Sequence, residues 1–320
     1  MDINWRRPWP ARQLCHLFCC PPVPSRIAAK LAFRPPEPSY SLLPMDDAST
    51  FTFKLTDRAE WHHPTKKLED VEVFQTTTSR GSILPCMFMR YKAAAPFTLF
   101  ISHSCSVDLG LMVNYYRKMA TFLRCHVFSY EYTGYGTSYG RPPSERDMYA
   151  DTQAAWEALL TRYYILPNQV ILYGMDFGTA ATIDLACRVE AAGVILHTPV
   201  ASAIRIVFPN ARRTWFFDSF ASIDKIAGVT SPVLFIHGVD DQVVPFAHSL
   251  IMHAKCQNPV DPLWARGCGH DGLEVYGLYT NRLKLFVWIE LQNHQGRRGL
   301  PPQEPPEPYT ELSPLWRSAH

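Results

Sequence analysis

Three residues could together move a proton and hold an acyl group: Asp176, Asp241 and His270. Asp176 is the centre of Gly174-Met175-Asp176-Phe177-Gly178, the frame of a nucleophile elbow with a carboxylate where a hydroxyl is expected. In such a frame a strand ends, the chain turns sharply and a helix begins. The run from Gln169 to Tyr173 reads as a buried strand, and Thr179 to Cys187 reads as a helix packed on it. Glycines at 174 and 178 let the two backbones approach, which thrusts residue 176 out at the sheet's edge.

The partners follow in the order nucleophile, acid, histidine, each at a strand end. Pro232 to Gly238 predicts a strand carrying Asp240 and Asp241 at its end, either of which could be the acid. Asp261 to Ala265 predicts a strand entering Gly267-Cys268-Gly269-His270, a loop that presents the histidine. Upstream, Phe97 to Ser102 predicts a strand delivering His103-Ser104-Cys105-Ser106, where one oxyanion N–H belongs; the N–H of Phe177 is the other.

A serine at the elbow would give its proton to His270 and attack a carbonyl. Asp176 has no such proton, and an ionised Asp176 beside protonated His270 makes a row of carboxylate, imidazolium and carboxylate. Turnover by the serine route is then expected to be weak or lost. A second chemistry is attack by Asp176 itself on sp3 carbon, which requires hydrogen-bond donors over the leaving group. Fewer than forty residues separate the strands at Val194 and Val233, little room for a cap that would supply them. Cys105 could become a substitute nucleophile only as a thiolate, whereas a cysteine on a strand end is ordinarily a small buried apolar group.

The elements that must position these groups alternate. Strands are expected at about 69–76, 84–91, 97–102, 126–131, 169–173, 193–198, 232–237 and 260–265, and helices at about 109–123, 144–163, 178–189 and 272–292. Ser144-Glu-Arg-Asp147 is a capping signature for the second helix. The pattern predicts an α/β fold: a mostly parallel twisted sheet of about eight strands, helices on both faces, ligand groups at the carboxyl ends.

From Leu14 to about Leu291 the chain resembles the alpha/beta-hydrolase domain-containing 17 family, lipid-anchored serine hydrolases that remove palmitate from S-acylated proteins. The resemblance rests on Cys20-Pro-Pro22, Arg26 to Phe33, Pro35 to Tyr40, Val107-Asp-Leu-Gly110, Gly134-Tyr-Gly136 and Trp156 to Leu159. It implies the alpha/beta-hydrolase fold and favours Asp241 as the acid, leaving Asp240 as a turn residue. Three departures fall in the site. The family's elbow serine is Asp176, its His-Gly-Asn strand end is His103-Ser104-Cys105, and its Tyr-Asp-Tyr segment is Tyr130-Glu131-Tyr132. With these changes the expected roles are a weak or inactive palmitoyl-protein thioesterase, a non-catalytic binder of acyl chains or S-acylated proteins, or an Asp176-nucleophile hydrolase.

Composition sets the outer bounds. The 320 residues allow one large domain with tails, and a net charge of +2 gives no basis for a nucleic-acid partner. Nine cysteines without metal-site spacing, and no signal peptide, predict an intracellular chain with reduced thiols and neither metal nor cofactor. The doublet His62-His63 reads as a solvated loop pair. Three segments are expected: a cysteine-rich membrane-anchor arm at 1–48, the hydrolase domain at 49–294, and a proline-rich extended tail at 295–320. The apolar run Leu14 to Cys20 is too short to span a bilayer, which needs about 20 residues. Its cysteines lie among Arg6, Arg7, Arg12, Arg26, Lys30 and Arg34, the pattern of reversible S-palmitoylation backed by basic residues. The family resemblance places acyl chains on Cys15, Cys19 and Cys20, and so predicts a peripheral protein on the cytoplasmic face of plasma or endosomal membranes.

Overall fold

The computed structural model describes residues 28–297, apart from 31, 46–49, 60–67, 69, 139–140, 209–210 and 212. Cys15, Cys19, Cys20, the His62-His63 doublet and the proline-rich stretch after 297 therefore lie outside the described residues.

Four strands are almost uninterrupted buried runs: β5 (Thr98–Ser102), β7 (Val170–Met175), β8 (Gly193–His197) and β9 (Val233–Gly238). Apolar side chains on both faces of a strand require cover on both sides, which parallel strands obtain from their crossover helices. Here Phe100, Leu172 and Phe235 pack in one core layer with Trp156 and Ala181. Leu99, Ile171 and Ile195 point the other way, toward Val113, Tyr116 and Leu283. The helices concerned are α1 (Leu109–Leu123), α2 (Glu145–Tyr163), α3 (Gly178–Ala186) and, late in the chain, α7 (Gly277–Leu285). Short helices α4 (Ala203–Val207), α5 (Ser222–Lys225) and α6 (Ala247–His253) fill the connections around β9.

The remaining strands are β1 (Tyr40–Pro44), β2 (Thr50–Leu55), β3 (Val71–Thr77), β4 (Ile83–Met89), β6 (His126–Tyr130) and β10 (Leu263–Ala265). They form one sheet in the order β1-β2-β3-β4-β6-β5-β7-β8-β9-β10, antiparallel as far as β6 and parallel from there on. The order reverses between β5 and β7, so their carboxyl ends flank a switch point, the place where open sheets of this kind bind ligands.

The sheet has ten strands rather than the expected eight. The two additions, β1 and β2, are short and partly exposed, and β1, at the sheet edge, ends in Pro44, where the missing N–H costs no ladder bond. Tyr40 to Pro44 lie inside the segment read from sequence as the arm, yet they pair residue for residue with β2. The helix expected over 272–292 is interrupted: Gly272 takes a left-handed φ of 83°, a single 3-10 turn covers Leu273–Val275, and α7 begins at Gly277. After α7 a π-turn, Phe286–Glu290, leads into α8 (Leu291–Arg297). The capping signature is realised, with Ser144 Oγ accepting the Asp147 N–H at 3.2 Å.

Candidate active site

The elbow is built as tightly as its glycines imply. A Cβ at Gly178 would lie 2.3 Å from the Ser102 carbonyl oxygen, and one at Gly174 would lie 2.6 Å from Thr179 Cα. Between them Asp176 is left-handed, φ 52°, a conformation that aspartate tolerates better than most residues. Its N–H donates to the His197 carbonyl at 2.9 Å, and its carbonyl accepts the Thr179 N–H at 3.0 Å and the Thr179 hydroxyl at 2.5 Å. These bonds hold residue 176 at the carboxyl end of β7 and start α3.

The Asp176 carboxylate is nearly buried and accepts the Ser104 hydroxyl at 3.0 Å. Burial raises its pKa; the positive field of His270, the Ser104 hydroxyl and the Phe177 N–H act in the opposite direction without cancelling it. The Phe177 N–H and the Ser104 side chain, both from positions assigned to an oxyanion, are thus turned onto a resident carboxylate. Ser104 also shares its hydroxyl with Ser106 at 3.0 Å.

Cys105 faces away from this group. It is 1% exposed, belongs to the core, and its carbonyl accepts the Tyr135 hydroxyl at 2.7 Å and the Arg34 N–H at 3.0 Å. Burial pushes its thiol well up, and the charge of Asp176 adds to the effect, so the thiolate required of a nucleophile is disfavoured.

Asp241 and His270 meet across the ends of β9 and β10. His270 Nδ1 donates to Asp241 Oδ2 at 2.8 Å. The other carboxylate oxygen accepts the N–H groups of Val243 and Val244 at 2.7 and 2.9 Å, and His237 Nε2 stands 3.3 Å from Oδ2. Burial alone would raise the Asp241 carboxyl; bonds to His237 and His270 and the Val243 N–H hold it far below the usual range. Burial would lower His270, but the Asp241 bond and the charges of Asp176 and Asp241 raise it. Asp240 is exposed and gives its N–H to the Cys268 carbonyl at 3.0 Å, which makes it a turn residue.

Asp176, His270 and Ser104 line one cavity of about 130 Å3 together with Ser106, His197 and Glu274. The sequence reading did not single out the last two. His197 ends β8, and the strand-end rule that located the other groups would have found it. Its Nδ1 bonds the Tyr173 hydroxyl at 3.0 Å, and Tyr173 joins a ring of hydroxyls with Tyr115 and Tyr279 at 2.7–3.1 Å. Nor was the support beneath the oxyanion loop foreseen. His103, fully buried, lies 3.3 Å from Glu131, whose other oxygen accepts the Tyr40 hydroxyl at 2.8 Å and the Leu109 N–H at 3.1 Å. Burial would lower His103, and the Glu131 contact holds it up.

No protein-family model matches the chain. It is 49% identical to alpha/beta hydrolase domain-containing protein 17B of Xenopus tropicalis over 281 residues, 88% of this chain and 97% of the relative. Against the human 17B protein the identity is 48% at the same coverage, and against the 17C protein of Xenopus laevis it is 48% over 88% of this chain and 95% of the relative. Among solved structures, an esterase of Pyrococcus furiosus aligns with TM-score 0.54 at 16% identity, covering 71% of this chain and 95% of that one. A puromycin-hydrolyzing peptidase of Mycobacterium tuberculosis aligns with TM-score 0.55 at 16% identity, over 73% and 41%. At that identity the structural likeness concerns the fold, which is the alpha/beta-hydrolase fold. With identity near one half over nearly the full length of the relatives, the chain belongs to the alpha/beta hydrolase domain-containing protein 17 family.

Proposed function

We propose that this chain is a membrane-anchored relative of the protein depalmitoylases that holds acyl groups or S-acylated proteins while its own hydrolase activity is weak or lost. One observation carries the reading: the elbow side chain is a carboxylate that already engages Ser104, Phe177 and the field of His270. His270 finds no hydroxyl proton there to remove. An incoming carbonyl would have to displace the carboxylate from its donors, and the oxyanion formed would develop beside a fixed negative charge. Asp241 and His270 would still orient a substrate, so binding survives the loss of chemistry. Attack by Asp176 on sp3 carbon has less support, because the connection from Thr198 to Pro232 contains no tyrosine and one tryptophan, Trp215, to assist a leaving group.

The test is an S-palmitoyl peptide presented to the full chain. Binding without serine-hydrolase turnover, and no labelling by a fluorophosphonate probe, is the expected result. Turnover at ordinary esterase rates that vanishes in Asp176→Ala overturns the reading. Anchoring through Cys15, Cys19 and Cys20 belongs to the same proposal; among the described residues no helix is long and apolar enough to cross a membrane. Changing the three cysteines to serine should release the chain from cytoplasmic membranes, and unchanged membrane recovery removes the acyl anchor.

A further inference from the structure

A trough of about 1220 Å3 runs beside the active-site cavity and adjoins it, since Ser106, Val107 and Glu274 line both. Its floor is one face of α1, where Leu111, Tyr115, Met119 and Phe122 recur at helical spacing, continued by Val107 just before the helix, and all five line it. From Leu111 to Phe122 the helix rises about 16 Å at 1.5 Å per residue. A single acyl chain in a bilayer spans half of the ~30 Å hydrocarbon core, about 15 Å, so the trough is long enough for one.

Several polar groups of the trough are already committed. The hydroxyls of Tyr115 and Tyr279 bond each other at 2.7 Å and both bond Tyr173, which leaves their rings to form wall. Arg117 gives two N–H groups to Asp70 at 2.7 and 2.8 Å, and Arg58 pairs with Glu37. Lys118 is exposed, so its ammonium sits in water at the rim. At the end nearest the elbow the charges are mainly negative, from Asp176, Asp271 and Glu274 around His270. A free fatty acid would bring its carboxylate into that field, whereas a thioester carbonyl carries no charge.

We propose that the trough along α1 seats the acyl chain of an S-acylated peptide, with its carbonyl end directed at Asp176. The proposal rests on the acyl-binding reading above and assigns that function a place. The experiment measures equilibrium binding of S-acyl peptides with chains of about eight to sixteen carbons to the full chain. Each added methylene should tighten binding about three- to fourfold until the trough is filled. Leu111→Arg, which sets a charge on the floor near its active-site end, should weaken the longest chain at least tenfold and flatten the length dependence. A peptide whose acyl terminus carries a photoreactive diazirine should label the wild-type chain in the segment containing Met119 and Phe122, a readout that needs no variant to fold. Length-dependent binding with labelling elsewhere and no effect of Leu111→Arg overturns the trough and leaves acyl binding standing. Free palmitate binding as tightly as the thioester overturns the thioester assignment, and no binding of any acyl peptide removes both readings.

Discussion

The acid–histidine half of the site and the elbow half are built on different terms. Asp241 is surrounded by donors that serve the fold as well as any reaction: two backbone N–H groups tie down the turn after β9, and His270 ties the following loop to that turn. The loop leaves no slack, because a Cβ at Gly238 would meet the Gly269 carbonyl oxygen at 2.3 Å. Asp176 occupies an equally tight backbone, but its side chain projects into a cavity and its charge is disfavoured by burial. A residue that stabilises its surroundings resists replacement whatever the chemistry, while one held only for reactivity can be exchanged without dismantling anything. That difference accounts for a chain that keeps an acid and a histidine around a position with no hydroxyl.

The largest expected effect tests whether the two halves still work together. Asp176→Ser should raise thioester hydrolysis by about a thousandfold or more, given the roughly 10⁶-fold cost of losing a triad nucleophile. No rise, even with Ser104→Gly added, would mean that the oxyanion half has lost more than its nucleophile. Next, Asp241→Ala removes a buried charge from two histidines and two N–H groups, and unfolding should become easier by about 3–5 kcal/mol in denaturant titrations. Asp176→Ala should fall far short of that, and equal losses would erase the contrast. Gly178→Ala, which forces a methyl against the end of β5, should cost about 1–3 kcal/mol in the same assay.

The smallest effect is a difference in sign against pH. The folded pKa of Asp176 lies above its unfolded value of about 3.9, so its ionised form opposes folding at neutral pH. Asp176→Asn should therefore melt at a higher temperature than the parent near pH 7, with the gain fading as pH falls through the raised folded pKa and gone below about 4. Asp241 is depressed, so its stabilising contribution is present above about pH 4 and is lost as pH falls through its folded pKa. Melting curves of Asp176→Asn and Asp241→Asn should depart from the parent in opposite directions at neutral pH, and a common direction would refute the electrostatic distinction.

The parts of the molecule most legible in the sequence were those governed by short-range rules. β5, β7, β8 and β9 announce themselves as apolar runs because both faces are buried, and the elbow announces itself through two glycines. β1 and β2 were hidden because an exposed edge strand need not be apolar, and the prolines around them resemble a linker. The break between Gly272 and Gly277 was hidden because the apolar spacing runs on past it. In the site, Asp176, Asp241 and His270 could be named from chain order, whereas the bond from Tyr40 to Glu131 spans 91 positions and no local pattern encodes it. The burial of Cys105 matches the expectation for a cysteine on a strand end, whereas the bonds from Tyr135 and Arg34 to its carbonyl come from distant positions that no local pattern encodes.

Gly178 has a further consequence for how such chains are recognised. Its hydrogen atoms rest where any methyl would wedge β5 away from α3, so the glycine pair marks the architecture while the residue between them reports only the present trade of the protein. A genome search keyed to the small residues flanking the bend would gather chains with a hydroxyl at its tip and chains with a carboxylate alike, and the middle letter would then sort one from the other.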